Sequence, residues 1–202
     1  MFVLGLTGSI GMGKSATAAM LRKAGAPVHD ADAVVHALYA GKAAPLVEAA
    51  FPGTTRDGVV DRDLLGKRIL GDVAALRRLE AIVHPLVREA RDAFLDDCRK
   101  TSARIFVLDV PLLFETGGEH SVDAVMVVSA PAHVQHARVL ARPGMTQERF
   151  AAILSKQMPD AEKRRRAHFI VDTARGFAAA DRQVASILRS LAAASRPNRR
   201  FA

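Results

Sequence analysis

Eight consecutive residues, Gly8-Ser9-Ile10-Gly11-Met12-Gly13-Lys14-Ser15, fit the pattern G-x-x-x-x-G-K-[ST] in full. They follow an apolar run, Phe2-Val3-Leu4-Gly5-Leu6, and precede a helical pattern that starts at Ala16. This strand–loop–helix context separates a phosphate-binding loop from a chance match. The glycines let the backbone curl so that successive N–H groups face inward toward phosphate oxygens. The helix that follows adds its positive N-terminal end. Contacts to a nucleoside triphosphate are therefore expected along Gly8, Ser9, Ile10, Gly11, Met12, Gly13, Lys14, Ser15 and Ala16. Lys14 is expected to reach the β- and γ-phosphates, and the Ser15 hydroxyl to ligate Mg²⁺.

Composition bounds what surrounds that loop. At 202 residues, 50% of them hydrophobic, the chain suits one α/β core with room for inserted subdomains. Cys98 is the single cysteine. That excludes an internal disulfide and a cysteine-based zinc site, and it suits a reducing, cytoplasmic compartment. Cys98 itself reads as an inert packed thiol. The N-terminus lacks the basic region of a signal peptide, and no stretch approaches the ~20 apolar residues of a membrane span, so no membrane partner is expected.

Net charge is +8, and it is unevenly placed. Residues 138–202 hold 14 Lys/Arg against 5 Asp/Glu, whereas the first 137 hold 15 against 16. A basic C-terminal third is compatible with nucleic acid or with arginines that close over polyphosphate. Stacking platforms for nucleic acid need interleaved aromatics, yet Tyr39 is the only tyrosine and tryptophan is absent. No nucleic-acid partner is expected. A monomer or weak homo-oligomer is expected, and the tail over 195–202, linker-like in composition, is expected to be disordered.

Short apolar runs predict strands over 2–6, 26–29, 105–108, 124–128 and 169–171. Helical stretches between them imply right-handed crossovers and a parallel sheet with helices on both faces. Helices are predicted over 131–141, from an N-cap at Thr146 to about residue 157, from an N-cap at Asp160 through residue 166, and over 177–194. Residues 62–99 read as helical almost throughout, with breaks at Gly71 and Pro85. Residues 41–58, rich in Gly and Pro, read as short helices and turns. Ligand sits at the carboxyl ends of strands in such a sheet. Those ends carry Thr7, Asp30, Asp109, Ser129 and Asp172.

A P-loop alone leaves kinase, GTPase and ATPase open. The GTPase reading lacks an Asn-Lys-x-Asp motif. Asp109 closes its strand but is followed by Val110-Pro111, a partial fit to the paired acids of a motor ATPase. Small size and an arginine-rich segment over 138–166 favour a small-molecule kinase with a mobile lid.

Several motifs, in order, give the chain a resemblance to the dephospho-coenzyme A kinases. They are Leu6-Thr7 running into the loop through Ser15; Asp30-Ala31-Asp32; His84-Pro85-Leu86-Val87; Val110-Pro111-Leu112-Leu113-Phe114-Glu115; Gln135-His136-Ala137-Arg138 with Arg142; and Gln157. The resemblance runs from Leu4 to about Asp172. It implies ATP-dependent, Mg²⁺-requiring phosphorylation of the ribose 3′-hydroxyl of dephospho-coenzyme A, the last step of coenzyme A synthesis. It also implies an α/β fold, a P-loop kinase-type parallel sheet of about five strands flanked by helices. The expected parts are a core (1–41, 101–141 and 167–194), a helical acceptor-substrate subdomain (about 42–100) and a lid (about 142–166). In one departure, Asp172-Thr173-Ala174-Arg175-Gly176 has Thr173 where the family often has Asn.

Asp32 is the expected general base, since transfer to an alcohol needs a carboxylate within reach of the hydroxyl proton. The alternative is that Asp32 merely N-caps the helix holding Val34 and Leu38; Asp30 is the rival base. Arg138 and Arg142, four apart and so on one helical face, are expected to offset charge on the transferring phosphoryl group, with Pro143-Gly144 as a hinge-like break. The Lys163-Arg164-Arg165-Arg166 run reads as a solvated lid surface. His84, preceding Pro85, is expected in extended backbone at a helix break, as part of the acceptor pocket without a proton-transfer role. Arg62 is placed to meet the pantetheine-side pyrophosphate. Pro111 and Glu115 are expected to shape the loop after the central strand, with Glu115 reaching substrate or metal.

Overall fold

Short apolar strands joined by helical crossovers all run in one direction, and the computed structural model, which describes residues 1–194, follows that rule. In chain order its elements are β1 (Phe2–Thr7), α1 (Lys14–Lys23), β2 (Val28–Asp30), α2 (Ala31–Tyr39), α3 (Ala44–Ala50), β3 (Thr55–Arg56) and β4 (Val59–Val60). Then come α4 (Arg62–Ile69), α5 (Val73–Arg99), β5 (Ile105–Asp109), β6 (Ala124–Ser129), α6 (Ala132–Leu140), α7 (Gln147–Leu154), α8 (Asp160–Arg166), β7 (Phe169–Asp172) and α9 (Phe177–Ala194). The tail over 195–202 lies outside the described residues. Among those described, no helix is long and apolar enough to cross a membrane.

The chain forms two compact units, one of Met1–Val28 with the chain from Thr101 onward, the other of His29–Lys100. The large sheet has the order β2-β5-β1-β6-β7. β1 is central and parallel to both neighbours, with Leu4 opposite Val107 on one side and Ala124 on the other. Both faces of β6 are covered, which is why its sequence is apolar without alternation. Met126 and Val128 pack with Leu4, Leu6, Leu21 of α1 and Val184 of α9. Val125 and Val127 pack on the opposite face with Leu113 and Phe114. α8 starts one residue earlier than expected: Pro159, not Asp160, holds the N-cap position, and Asp160 is the first helical residue.

The second unit is helical around Val47, Phe51, Leu65, Ala75, Leu79 and Val83. Gly71 does separate α4 from α5, but Pro85 breaks nothing. α5 runs through it for 27 residues. A proline inside a helix removes one backbone hydrogen bond; the apolar stripe of Ala75, Leu79 and Val83, buried at intervals of four, holds the helix regardless. Where the sequence predicts turns, a hairpin joins β3 to β4 through Asp57 (φ 50°) and Gly58 (φ 75°), the left-handed pair that suits a tight turn.

Candidate active site

β1 delivers the chain to the loop at Thr7, which is buried and donates its hydroxyl to the Pro111 carbonyl at 3.0 Å. The loop is then set peptide by peptide. In a planar trans peptide the C=O and N–H point opposite ways, so fixing one aims the other. The Ile10 carbonyl accepts from Gln135 Nε2 at 2.7 Å, and the Ile10 N–H donates to Gln157 Oε1 at 3.1 Å. The Ser9 carbonyl accepts from the Met12 N–H, and the Met12 carbonyl from the Thr173 hydroxyl at 2.7 Å. Protein partners thus take the carbonyls of Ile10 and Met12, and the N–H groups of Gly11 and Gly13 face the other side.

Two glycines are required by what surrounds them. Gly11 has φ 78°, and a Cβ there meets Val139 at 2.5 Å and the Gln135 carbonyl at 3.1 Å, so α6 packs directly on the loop. Gly13 is the N-cap of α1, with φ 97°. The first bond of that helix runs from Thr17 N–H to Gly13 O, so the amides of Lys14, Ser15 and Ala16 precede the helical ladder and are available to an anion. Lys14 Nζ lies 2.8 Å from Asp109 Oδ1 at the end of β5, with the two side chains 15% and 2% exposed. Ser15, one residue on, is exposed.

Arg138 of α6 is held by a single residue: Nη1 donates to Thr173 Oγ1 at 2.9 Å and Nη2 to the Thr173 carbonyl at 2.8 Å. Beside the loop is a cavity of about 340 Å³, lined by Gly11, Gly13, Ala16, Thr17, Met20, Arg138, Arg142, Thr173, Gly176 and Phe177. Arg142 is exposed at its edge. The sequence shows Thr173 only as a departure from a pattern, and nothing local marks it as the partner of Arg138 and Met12.

The loop after β5 faces α8. Glu115 Oε1 accepts from the Met158 N–H at 2.7 Å and pairs with Lys163 Nζ at 2.8 Å. Burial acts to raise the Glu115 pKa, but the Lys163 ammonium and the Met158 amide outweigh it and hold the carboxyl below the ordinary glutamate value. Lys163 is 0% exposed, which corrects its reading as solvated lid surface. Of that basic run, Arg164, Arg165 and Arg166 are exposed. Arg166 bonds Glu119 and covers the Phe114 ring at 4.7 Å. Pro111 contributes the carbonyl that receives Thr7.

Asp32, Arg62 and His84 belong to the second unit, on α2, α4 and α5. The cap of α2 is Asp30, whose Oδ1 accepts from the Ala33 N–H at 3.0 Å. Asp32 is exposed in the first turn and does not cap the helix. Arg62 opens α4 behind its cap Asp61; burial raises the Tyr39 pKa against the lowering charge of Arg62. His84 is exposed in the middle of α5, not in extended backbone at a break.

A Gly-Lys-Ser loop leaving the central strand of a five-stranded parallel sheet, with a lysine on a buried aspartate and two arginines over the flanking cavity, defines a P-loop phosphotransferase of the small-molecule kinase type. The CoaE family model, dephospho-CoA kinase, matches residues 2–178. The dephospho-CoA kinase of Mesorhizobium japonicum is 65% identical over 191 residues, covering 95% of this chain and 97% of that one. The chain belongs to the dephospho-CoA kinase family, and it is a kinase. The crystal structure of TT1252 from Thermus thermophilus superposes with a TM-score of 0.81 at 33% identity, covering 97% of this chain and 98% of that one. A dephospho-CoA kinase from Campylobacter jejuni shares the fold, with a TM-score of 0.63 at 22% identity over 94% and 96% of the two chains.

Proposed function

We propose that this chain transfers the γ-phosphoryl group of ATP to the ribose 3′-hydroxyl of dephospho-coenzyme A, giving ADP and coenzyme A in the cytoplasm. The observation that carries the reading is the loop itself, whose carbonyls are bound by Gln135 and Thr173 while its glycine amides and the first turn of α1 are left for phosphate. Gly8 to Ala16 wrap the triphosphate, and Lys14 exchanges its contact with Asp109 for the β- and γ-phosphates. The cavity between Met20, Arg138 and Phe177 takes the nucleoside.

Mg²⁺, when bound, neutralises charge on the triphosphate. The Ser15 hydroxyl and the Asp109 carboxylate are hard oxygen donors of the kind this ion takes, alongside the phosphates themselves. Among the described residues no group of three or more His, Cys, Asp or Glu side chains is placed to cage a metal.

Asp32 accepts the proton of the acceptor hydroxyl. Its freedom from capping supports this role over Asp30, which is engaged as the cap of α2. Arg138 and Arg142 offset charge on the transferring group, and Arg62 and His84 hold the acceptor. Pro111 and Glu115 keep the loop after β5 in place. Closure is assigned to residues 142–156, because α8 is tied down by Glu115, Glu119 and Ser129.

An ADP-release assay over a panel of acceptors tests the assignment. Dephospho-coenzyme A should be phosphorylated far faster than adenosine or AMP, and equal turnover with AMP overturns it. In the same assay Asp32→Asn should lower kcat by about 10²–10⁴-fold with little change in KM for ATP. Asp30→Asn, which keeps an N-cap oxygen for the Ala33 N–H, should leave kcat near the wild-type value. A dead Asp30→Asn beside an active Asp32→Asn transfers the base to Asp30.

A further inference from the structure

Thr173 is where three functional parts meet through one hydroxyl. The residue is 8% exposed, and its own N–H is fixed to the Ser129 carbonyl at the end of β6. A hydroxyl has one proton to give. Its short bond runs to the Met12 carbonyl at 2.7 Å, so toward Arg138, which can only donate, it acts as acceptor at 2.9 Å. The second Arg138 nitrogen bonds the carbonyl of the same residue at 2.8 Å. One residue therefore holds the guanidinium at two points and also turns the Met12–Gly13 peptide, which aims the Gly13 N–H to the phosphate side. The side chain also abuts the loop, 3.1 Å from where a Gly13 Cβ would stand.

We propose that Thr173 is the positioning residue that sets the P-loop and Arg138 together, so that the loop after β7 governs how the phosphoryl group is held in transfer. The proposal rests on the reading above, in which the P-loop takes the triphosphate and Arg138 the transferring group.

Thr173→Val keeps the shape and removes both hydroxyl bonds; Thr173→Ser keeps them. Losing buried bonds to a carbonyl and a cation predicts a fall of about tenfold in kcat for Thr173→Val and a severalfold rise in KM for ATP. KM for dephospho-coenzyme A should stay within about twofold. Thr173→Ser should restore kcat to within about threefold of wild type. Arg138→Ala should cost less in the Thr173→Val background than alone, because the two act as a unit. The proposal is overturned if Thr173→Val matches wild type, if Thr173→Ser is as impaired as Thr173→Val, or if the KM values of both substrates rise together with a lowered Tm. Calorimetry with ATP and Mg²⁺ separates the two readings. A wild type that binds no ATP overturns the nucleotide assignment and this proposal with it, whereas wild type and Thr173→Val binding ATP equally overturns the proposal alone.

Discussion

α7 and α8 are consecutive helices cut from one basic segment, and they are held in opposite ways. α7 makes its side-chain hydrogen bonds to near neighbours in sequence. Thr146 caps it through the Arg149 N–H, Arg149 reaches back to the Gly144 carbonyl, and Gln147 meets His136 at 2.8 Å. α8 is held by distant parts of the chain. Asp160 accepts from Ser129, Lys163 is buried on Glu115, and Arg166 bonds Glu119. α7 carries one cation, Arg149, and α8 a run of four, and only a partner elsewhere in the sequence decides whether a cation is a solvated charge or an anchor. A segment held locally can move without breaking the core, and one held at long range cannot.

The two modes of attachment differ most in what Lys163 holds. Lys163→Ala leaves the Glu115 carboxylate in a largely buried place without its cation, and about 3–5 kcal/mol of stability should be lost in urea unfolding. Arg165→Ala, on the exposed side of the same helix, should change stability by less than about 0.5 kcal/mol. Equal effects would return Lys163 to the surface.

At α7 the expected effect is smaller. Thr146→Ala removes the α7 cap, worth about 1 kcal/mol, and the cost should stay local. Trypsin should cut faster after Arg149 and Lys156, with no acceleration at Arg164 or Arg165. A non-hydrolysable ATP analogue with Mg²⁺ should slow the first pair of cuts in the wild type. Protection confined to α8 would reverse which helix is the moving one.

The smallest effect is a pH dependence. The folded Glu115 pKa lies below the unfolded value, so its contribution to stability is complete above the unfolded pKa, about 4.3. It is lost as pH falls through the lower folded value. Wild type should therefore lose part of its advantage over a Glu115→Gln, Lys163→Met double variant on acidification below about pH 4. A difference that stays constant through that range would mean Glu115 is not held ionised by Lys163.

What was legible in the sequence was local. The Gly8–Ser15 loop, the five sheet strands and α9 are written in contiguous residues, as period or as motif. The roles of Lys163 and Thr173 are not, because their partners lie 48 and 161 residues away. The sequence offers Asp32 as the alternative cap of α2, and only the backbone shows that the carboxylate facing the Ala33 N–H is that of Asp30. Pro85 misleads for a different reason: one missing hydrogen bond is weighed against a stripe of buried side chains whose partners are spread over α2, α3 and α4. The Asp57-Gly58 turn was a usable signal, but its flanking strands of two residues each are too short to show a period of two.

The sheet order has a consequence for synthesis. Of the five strands of the sheet β1 is made before the others and ends in the middle, and it waits for neighbours far down the chain, with Phe2 against Ile105 and Leu4 against Ala124. The whole second unit, His29–Lys100, is contiguous and emerges in that interval. Domains fold as units during translation, and closing a long loop costs entropy before any contact repays it. The second unit lengthens the wait for β5 but lowers the entropy cost of closing on it: once its own core has formed, β1 and β5 are tethered by a compact body rather than by some seventy residues of slack chain. The phosphate-binding loop is translated long before it acquires its shape, since Met12 finds Thr173 only when β7 has been made.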